Sequence, residues 1–300
     1  MLGWIVGALG VGALAFFLAR SLVPKVQVPA SSVAIHATAP SEIPFTVPPD
    51  KPTLLLQAPE SEHPKPPEGP RLAIVMDDMG LKSTALTRAL PLPITLSFLT
   101  YAPHVGTQAA QARAAGHEVL AHVPMEPFGT MDPGPGALRV TQPSAEVTRR
   151  LAEALAPFGP QLAGFNNHMG SRFTADSDSV HRLALAVRAR GVFFLDSRTS
   201  RASQAAEAVR AFGGRAATND FFLDGGSEVT VQSVLHNLDR AARLAQMRGS
   251  AIVIGHPFPA TLTALESWCP DAKAHRGLRF VPVEELAIGD SEGQKQVLSP

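Results

Sequence analysis

Residues 71–80 read Arg-Leu-Ala-Ile-Val-Met-Asp-Asp-Met-Gly, an apolar run, Leu72–Met76, that stops at two adjacent carboxylates. A short run of this kind reads as a buried strand. Two acids directly after it are costly to bury unless they hold a cation or a proton. Similar runs recur at Ile94–Leu99, Val119–His122, Leu162–Phe165, Val192–Leu195, Ala251–Ile254 and Leu278–Val283, with a shorter one near Arg215–Thr218. Between them lie helical patterns near 82–90, 105–115, 144–156, 177–190, 203–212 and 228–248. In the longest, Val231, Val234, Leu235, Leu238 and Ala242 recur at spacings of three and four, while Gln232, His236, Arg240 and Arg243 fall on the other face. Strand–helix alternation predicts a parallel sheet covered by helices, either a barrel or a doubly wound sheet. The 218 residues of 71–288 suit a somewhat short barrel.

The chain changes character on either side of this domain. Residues 1–19, MLGWIVGALGVGALAFFLA, carry no charged side chain. A helix of that length spans about 28 Å, close to the hydrocarbon thickness of a bilayer. The run is longer than a signal-peptide core of roughly 7–15 residues, so 1–20 reads as a transmembrane anchor in preference to a cleaved signal segment. Residues 21–70 contain twelve of the 27 prolines and no apolar period, which predicts a disordered, semi-rigid linker. The tail 289–300 reads as disordered.

Composition narrows the function. The chain has 26 basic and 26 acidic residues, and only 17% of it is charged. Nucleic-acid binding needs a cationic surface, so no nucleic-acid partner is expected. A single cysteine, Cys269, excludes a disulfide framework and a cysteine-cluster metal site.

In parallel α/β folds the chemistry gathers at the carboxyl ends of the strands. Five predicted strands end in a residue that ligates or titrates: Asp77–Asp78, His122, His168, Asp196 and His256. Glu126 follows His122 in a segment that Pro124 keeps out of a helix. One carboxylate and two imidazoles make an open site for zinc or another divalent ion. His36, His63, His117, His181, His236 and His275 lie away from these ends and read as structural or solvated, and His104 reads as a rim position at most. Asn219–Asp220, with Asp224 close by, reads as a turn in preference to a set of groups supporting the site. No glycine-rich phosphate loop accompanies the site, which disfavours a cytosolic phosphohydrolase.

The segments IVMDDMG, GHEVLAHVPMEP, GFNNHMGSRFT, FFLDSRTS, NDFFLD and IGHP resemble the NodB-homology polysaccharide deacetylases, and most closely their divergent, YibQ-type branch. The resemblance implies an α/β fold, a distorted (β/α) barrel of about seven strands. It implies a catalytic set of Asp77 as general base, His256 as general acid and Asp196 as an orienting or substrate-contacting group. It implies a divalent metal, zinc in the first instance, held by Asp78, His122 and His168. Glu126 takes the place of a classical metal histidine, and Glu126 and Asn167 are further candidates for ligand or supporting positions. The implied activity is metal-dependent hydrolysis of a non-peptide carbon–nitrogen bond, removing acetyl from N-acetylated sugars of an envelope glycan or cell-wall fragment. The alternative is a catalytically inactive envelope protein that binds a glycan or partner in the same pocket. Arg20 and Lys25 follow the anchor and on a positive-inside count would hold the body in the cytoplasm. The long spacer and glycan-type site favour the opposite side: a single-pass bacterial inner-membrane protein with its globular domain in the periplasm.

Overall fold

The computed structural model describes residues 69–81, 90, 93–160 and 162–289, without the side chains of 273–276. The expected anchor 1–20, the linker up to residue 68, nearly all of the expected helix at 82–90 and the tail from 290 lie outside the described residues. Among the described residues no helix is long and apolar enough to cross a membrane.

The strands are β1 (Arg71–Met79), β2 (Thr95–Leu99), β3 (Val119–Met125), β4 (Gly164–Met169), β5 (Phe193–Asp196), β6 (Ala216–Thr218), β7 (Phe221–Phe222), β8 (Ser250–Gly255) and β9 (Arg279–Phe280). Eight of them form one parallel sheet in the order β6-β5-β4-β3-β2-β1-β8-β7, and β9 pairs with the start of β1. The expected count of about seven is thus exceeded by β7, a strand too short to leave a period in the sequence.

The sheet is curled. Ala73 and Val75 of β1, Leu120 of β3, Leu195 of β5 and Ile252 and Ile254 of β8 share one buried cluster. Strands β3, β5 and β8 are not neighbours in the sheet, so their side chains meet only across an interior. The two ends of the order are joined by adjacent residues. The Asn219 amide donates to the Asp196 carbonyl at 2.9 Å, and the Asp220 amide donates to the Ile252 carbonyl at 2.9 Å. Two consecutive residues therefore bridge the ends of the curled sheet.

The other side of each strand meets the helices α1 (Val105–Ala114), α2 (Ser144–Leu155), α3 (Ser177–Arg190), α4 (Ala205–Ala211), α5 (Val231–Arg248) and α6 (Pro259–Arg276). Leu72, Ile74 and Met76 of β1 join Val234 and Leu238 of α5 in this outer layer. Each such fully buried side chain contributes roughly 1.5–3 kcal/mol. Thr230 starts α5 with a capping box: its hydroxyl accepts the Ser233 amide at 3.1 Å, and Ser233 Oγ accepts the Thr230 amide at 3.0 Å. Helix α6 has no counterpart among the sequence expectations. Pro259 opens it and Pro270 lies inside it, on the exposed face. Its buried stripe, Thr261, Ala264, Leu265, Trp268, Cys269 and Ala272, is built largely of small residues that carry little periodic signal.

At the amino edge of the sheet, Glu118 clamps the end of the domain. Its carboxylate accepts the Thr95 hydroxyl at 2.7 Å, the Val283 amide at 2.8 Å and the Glu284 amide at 3.0 Å.

Candidate metal centre and acid–base cleft

Side-chain alternation along the strands decides what reaches the cleft. Ala73 and Val75 face the interior, so Asp77 does too. By the same count Asp78 would face the helices. A bulge prevents this: the pairing of β1 with β2 runs Met76↔Leu96 and then Met79↔Phe98, so two residues oppose one. Asp78 takes φ 56 at the bulge, a left-handed conformation that aspartate tolerates better than most residues. Both carboxylates thereby line a cavity of about 290 Å³.

The same alternation takes β3 from Leu120 to His122 and β8 from Ile252 and Ile254 to His256. His122 Nε2 lies 3.3 Å from Asp78 Oδ1 and 3.6 Å from Asp77 Oδ2. His168 Nδ1, from β4, lies 3.0 Å from the same Asp78 oxygen and 3.3 Å from His122 Nε2. Met169 closes β4 at φ 52, and its carbonyl accepts the Asn167 side-chain amide at 2.7 Å. Asn167 Oδ1 in turn accepts the Ser197 amide at 2.9 Å, fastening the end of β4 to that of β5.

Three potential donor atoms thus converge. Although both ring nitrogens are close, Asp78 Oδ1 is buried and has no hydrogen-bond partner of acceptable geometry. Such an orphaned oxygen is costly unless a ligand completes it. Asp78, His122 and His168 each offer one atom within 4.8 Å of the others, and two imidazoles with a carboxylate suit a divalent cation that keeps open positions. The residues present therefore fit a metal.

The charges are tightly linked. Burial works against ionising Asp78, but the contacts with His122 and His168 outweigh it and hold its carboxyl well below the usual range. Burial raises the Asp77 carboxyl above its ordinary value, and the nearby histidines and Asn166 offset this only partly. Burial likewise opposes charge on His122, but Asp77 and Asp78 prevail and raise its pKa.

His256 is held separately. Its Nδ1 lies 2.9 Å from Asp224 Oδ1, and its backbone amide donates to Asp224 Oδ2 at 2.6 Å. The Thr261 hydroxyl donates to that second oxygen at 2.9 Å. Burial disfavours the imidazolium, but Asp224, with Asp77 and Asp78 adding to it, raises the pKa to about 9. This pairing favours the imidazolium form, with Nε2 the nitrogen not engaged by Asp224.

Asp77, Asp78, His122, Asn167, His168 and His256 all line the cleft, together with Met169, Ser197, Thr199, Phe222 and Gly225. Two expected residues do not join them. Asp196 falls on the helix-facing side of β5, where it accepts the Arg198 amide at 2.8 Å and the Ser203 hydroxyl at 2.6 Å. It shapes the loop after β5, and Ser197, one residue on, has the parity that reaches the cleft. Glu126 lies beyond the end of β3, where it accepts the Val140 amide at 2.8 Å and pairs with Arg172 at 2.7 Å. It is a strap between two loops and lies outside the ligand cluster.

Asp224 lies in a turn, as expected, and from there it is also the partner of His256. Asn166 also escaped the sequence reading, because a search for titratable strand ends passes over a neutral amide. Alternation supplied a usable signal for it, since Asn166 pairs in register with His122.

The profile of the family described as divergent polysaccharide deacetylase matches residues 74–287. A protein of Haemophilus influenzae is 32% identical over 234 residues, covering 77% of this chain and 79% of that protein. The Escherichia coli K12 protein YibQ is 35% identical over 198 residues, 65% of this chain and 61% of YibQ. A crystal structure of an Agrobacterium tumefaciens C58 protein, 31% identical, superimposes with a TM-score of 0.69 over 74% of this chain and 91% of that one. With fold, motifs and matched span in agreement, the chain belongs to the divergent polysaccharide deacetylase family.

Proposed function

We propose that the domain is a metal-dependent hydrolase that removes acetyl groups from N-acetylated sugars of an envelope glycan. One observation carries the reading: the donor atoms of Asp78, His122 and His168 converge in the cleft that also holds Asp77 and His256. Membership of the family supports the deacetylase chemistry. Asp78, His122 and His168 would hold the ion, with zinc the best match to the set. A divalent cation bound there supplies Lewis acidity toward a carbonyl and lowers the pKa of water.

The chain's own groups do the rest. The Asp77 carboxylate accepts the proton of the attacking water, and its raised pKa makes it the better acceptor. His256 holds a proton on Nε2 and delivers it to the departing amine, while Asp224 fixes the ring from behind. Met169 and Phe222 give the cleft apolar surface suited to a methyl group. The anchor 1–20 and linker 21–70 would carry this domain on the periplasmic side of a bacterial inner membrane, which a C-terminal reporter fusion tests.

Elemental analysis of the purified protein should find one divalent ion, and joint replacement of His122 and His168 by alanine should remove it. Metal content unchanged in that variant rejects the ligand set. A metal-loaded wild type that releases no acetate from chitin or peptidoglycan fragments rejects the enzyme and leaves a glycan-binding pocket.

A further inference from the structure

We infer that Asn166 is the positioning residue of this cleft: one side-chain amide fixes which nitrogen of His122 faces Asp78 and His168, and holds the Asp77 carboxylate in place. The inference rests on the cation-binding reading above. Asn166 is fully buried in β4. A primary amide has two hydrogens to donate and one oxygen with two lone pairs, and all four are used. Its Oδ1 faces His122 Nδ1 at 2.8 Å and accepts the Ser97 hydroxyl at 2.6 Å. Its Nδ2 donates to Asp77 Oδ1 at 2.8 Å, with Oδ2 at 3.1 Å, and to Ser197 Oγ at 3.1 Å. Five strand ends are tied through this one group.

The orientation of the amide follows from its partners. Turned over, it would set Oδ1 against the Asp77 carboxylate with no hydrogen between them, and its NH2 against His122. With the oxygen toward His122, Nδ1 must carry the hydrogen. A neutral His122 then has its lone pair on Nε2, the atom 3.3 Å from both Asp78 Oδ1 and His168 Nδ1. A ring locked in this tautomer is ready to ligate without first moving a proton. The same amide orders the neighbouring base, and being neutral it leaves the charge of the cluster unchanged.

The test compares Asn166→Ala, which removes both functions, with Asn166→Asp, which keeps an acceptor for His122 and removes the donor to Asp77. Long-range proton–nitrogen NMR of the metal-free protein, at a pH where His122 is neutral, should show the Nδ1–H form in the wild type and in Asn166→Asp. In Asn166→Ala the Nε2–H form should gain at its expense. Zinc affinity should fall about ten- to hundredfold in Asn166→Ala and stay within about threefold in Asn166→Asp, which should still lose acetate release. An alanine variant with the wild-type tautomer and zinc affinity overturns the proposal. If that variant does not fold, loss of the Nδ1–H form in Asn166→Asp overturns it instead. Because the tautomer is read without metal, a wild type that binds no zinc defeats the functional reading without deciding this one.

Discussion

The two edges of the barrel treat a half-buried carboxylate in opposite ways. At the amino edge, Glu118 is surrounded by donors, a hydroxyl and two backbone amides. Burial still raises its pKa, but both of its oxygens accept hydrogen bonds. At the carboxyl edge, Asp78 is less enclosed, yet its Oδ1 has no hydrogen-bond partner. The first is a finished clamp, and the second leaves an oxygen unpaired beside two imidazoles. Backbone strain divides the same way. All four described non-glycine residues with left-handed φ, namely Asp78, His104, Met169 and Arg198, lie at or just past the carboxyl ends of strands. Each such residue costs on the order of 1 kcal/mol, which the rest of the fold must sustain. Completed polarity secures the structure, while incomplete polarity and strain mark where chemistry is to be done.

The contrast can be broken from either edge. The largest effect expected is on turnover: Asp77→Asn should slow acetate release by about 10²–10⁴-fold, with melting temperature and metal content held. An Asp77→Asn protein that keeps full turnover would remove the base from the mechanism. At the other edge, Glu118→Ala should leave metal content unchanged and lower stability by about 1–3 kcal/mol, since the buried Val283 amide and the buried Thr95 hydroxyl lose their acceptor. Thermal denaturation would register this as a fall of roughly 5–10 °C; loss of bound metal without destabilisation would reverse the assignment of the two edges.

A smaller effect sharpens the comparison through pH. His256 has a folded pKa of about 9 against an ordinary 6.5. A raised pKa contributes stability that is fully present below 6.5 and is lost as pH rises through about 9. Asp224→Asn should remove most of this, at most about 3 kcal/mol, and flatten the pH dependence of stability between those limits. It should also bring down the pH at which turnover declines on the alkaline side. Urea unfolding at several pH values checks the first expectation and a pH–rate profile the second.

Much of this was legible in the sequence, and the omissions have physical reasons. Apolar runs closed by Asp or His located β1, β3, β4 and β8 and the residues of the cleft. The run closed by Asp196 misled because strand ends alternate in direction: Ser197 has the inward parity and Asp196 the outward one. Asp78 shows the converse, an outward parity corrected by a bulge that its sequence does not announce. Glu126 was placed by motif position, but its reach depends on a turn after Met125 that no local pattern fixes. Asn166 and Asp224 act on neighbours far along the chain, so their roles emerge only when strands pair. Helix α6 was hidden by a proline on its solvent side and by small buried residues.

The seam at Asn219–Asp220 works as a clasp. Asn219 leans on the arc that carries Ser197, and Asp220 on the arc that carries His256. The two ends of the strand order are therefore held by neighbouring residues, Asn219 level with the carboxyl end of β5 and Asp220 lower down, against Ile252 of β8. Loss of these two consecutive residues would free both ends of the strand order together, so the curl of the sheet depends on a point remote in sequence from Asp78 and His122.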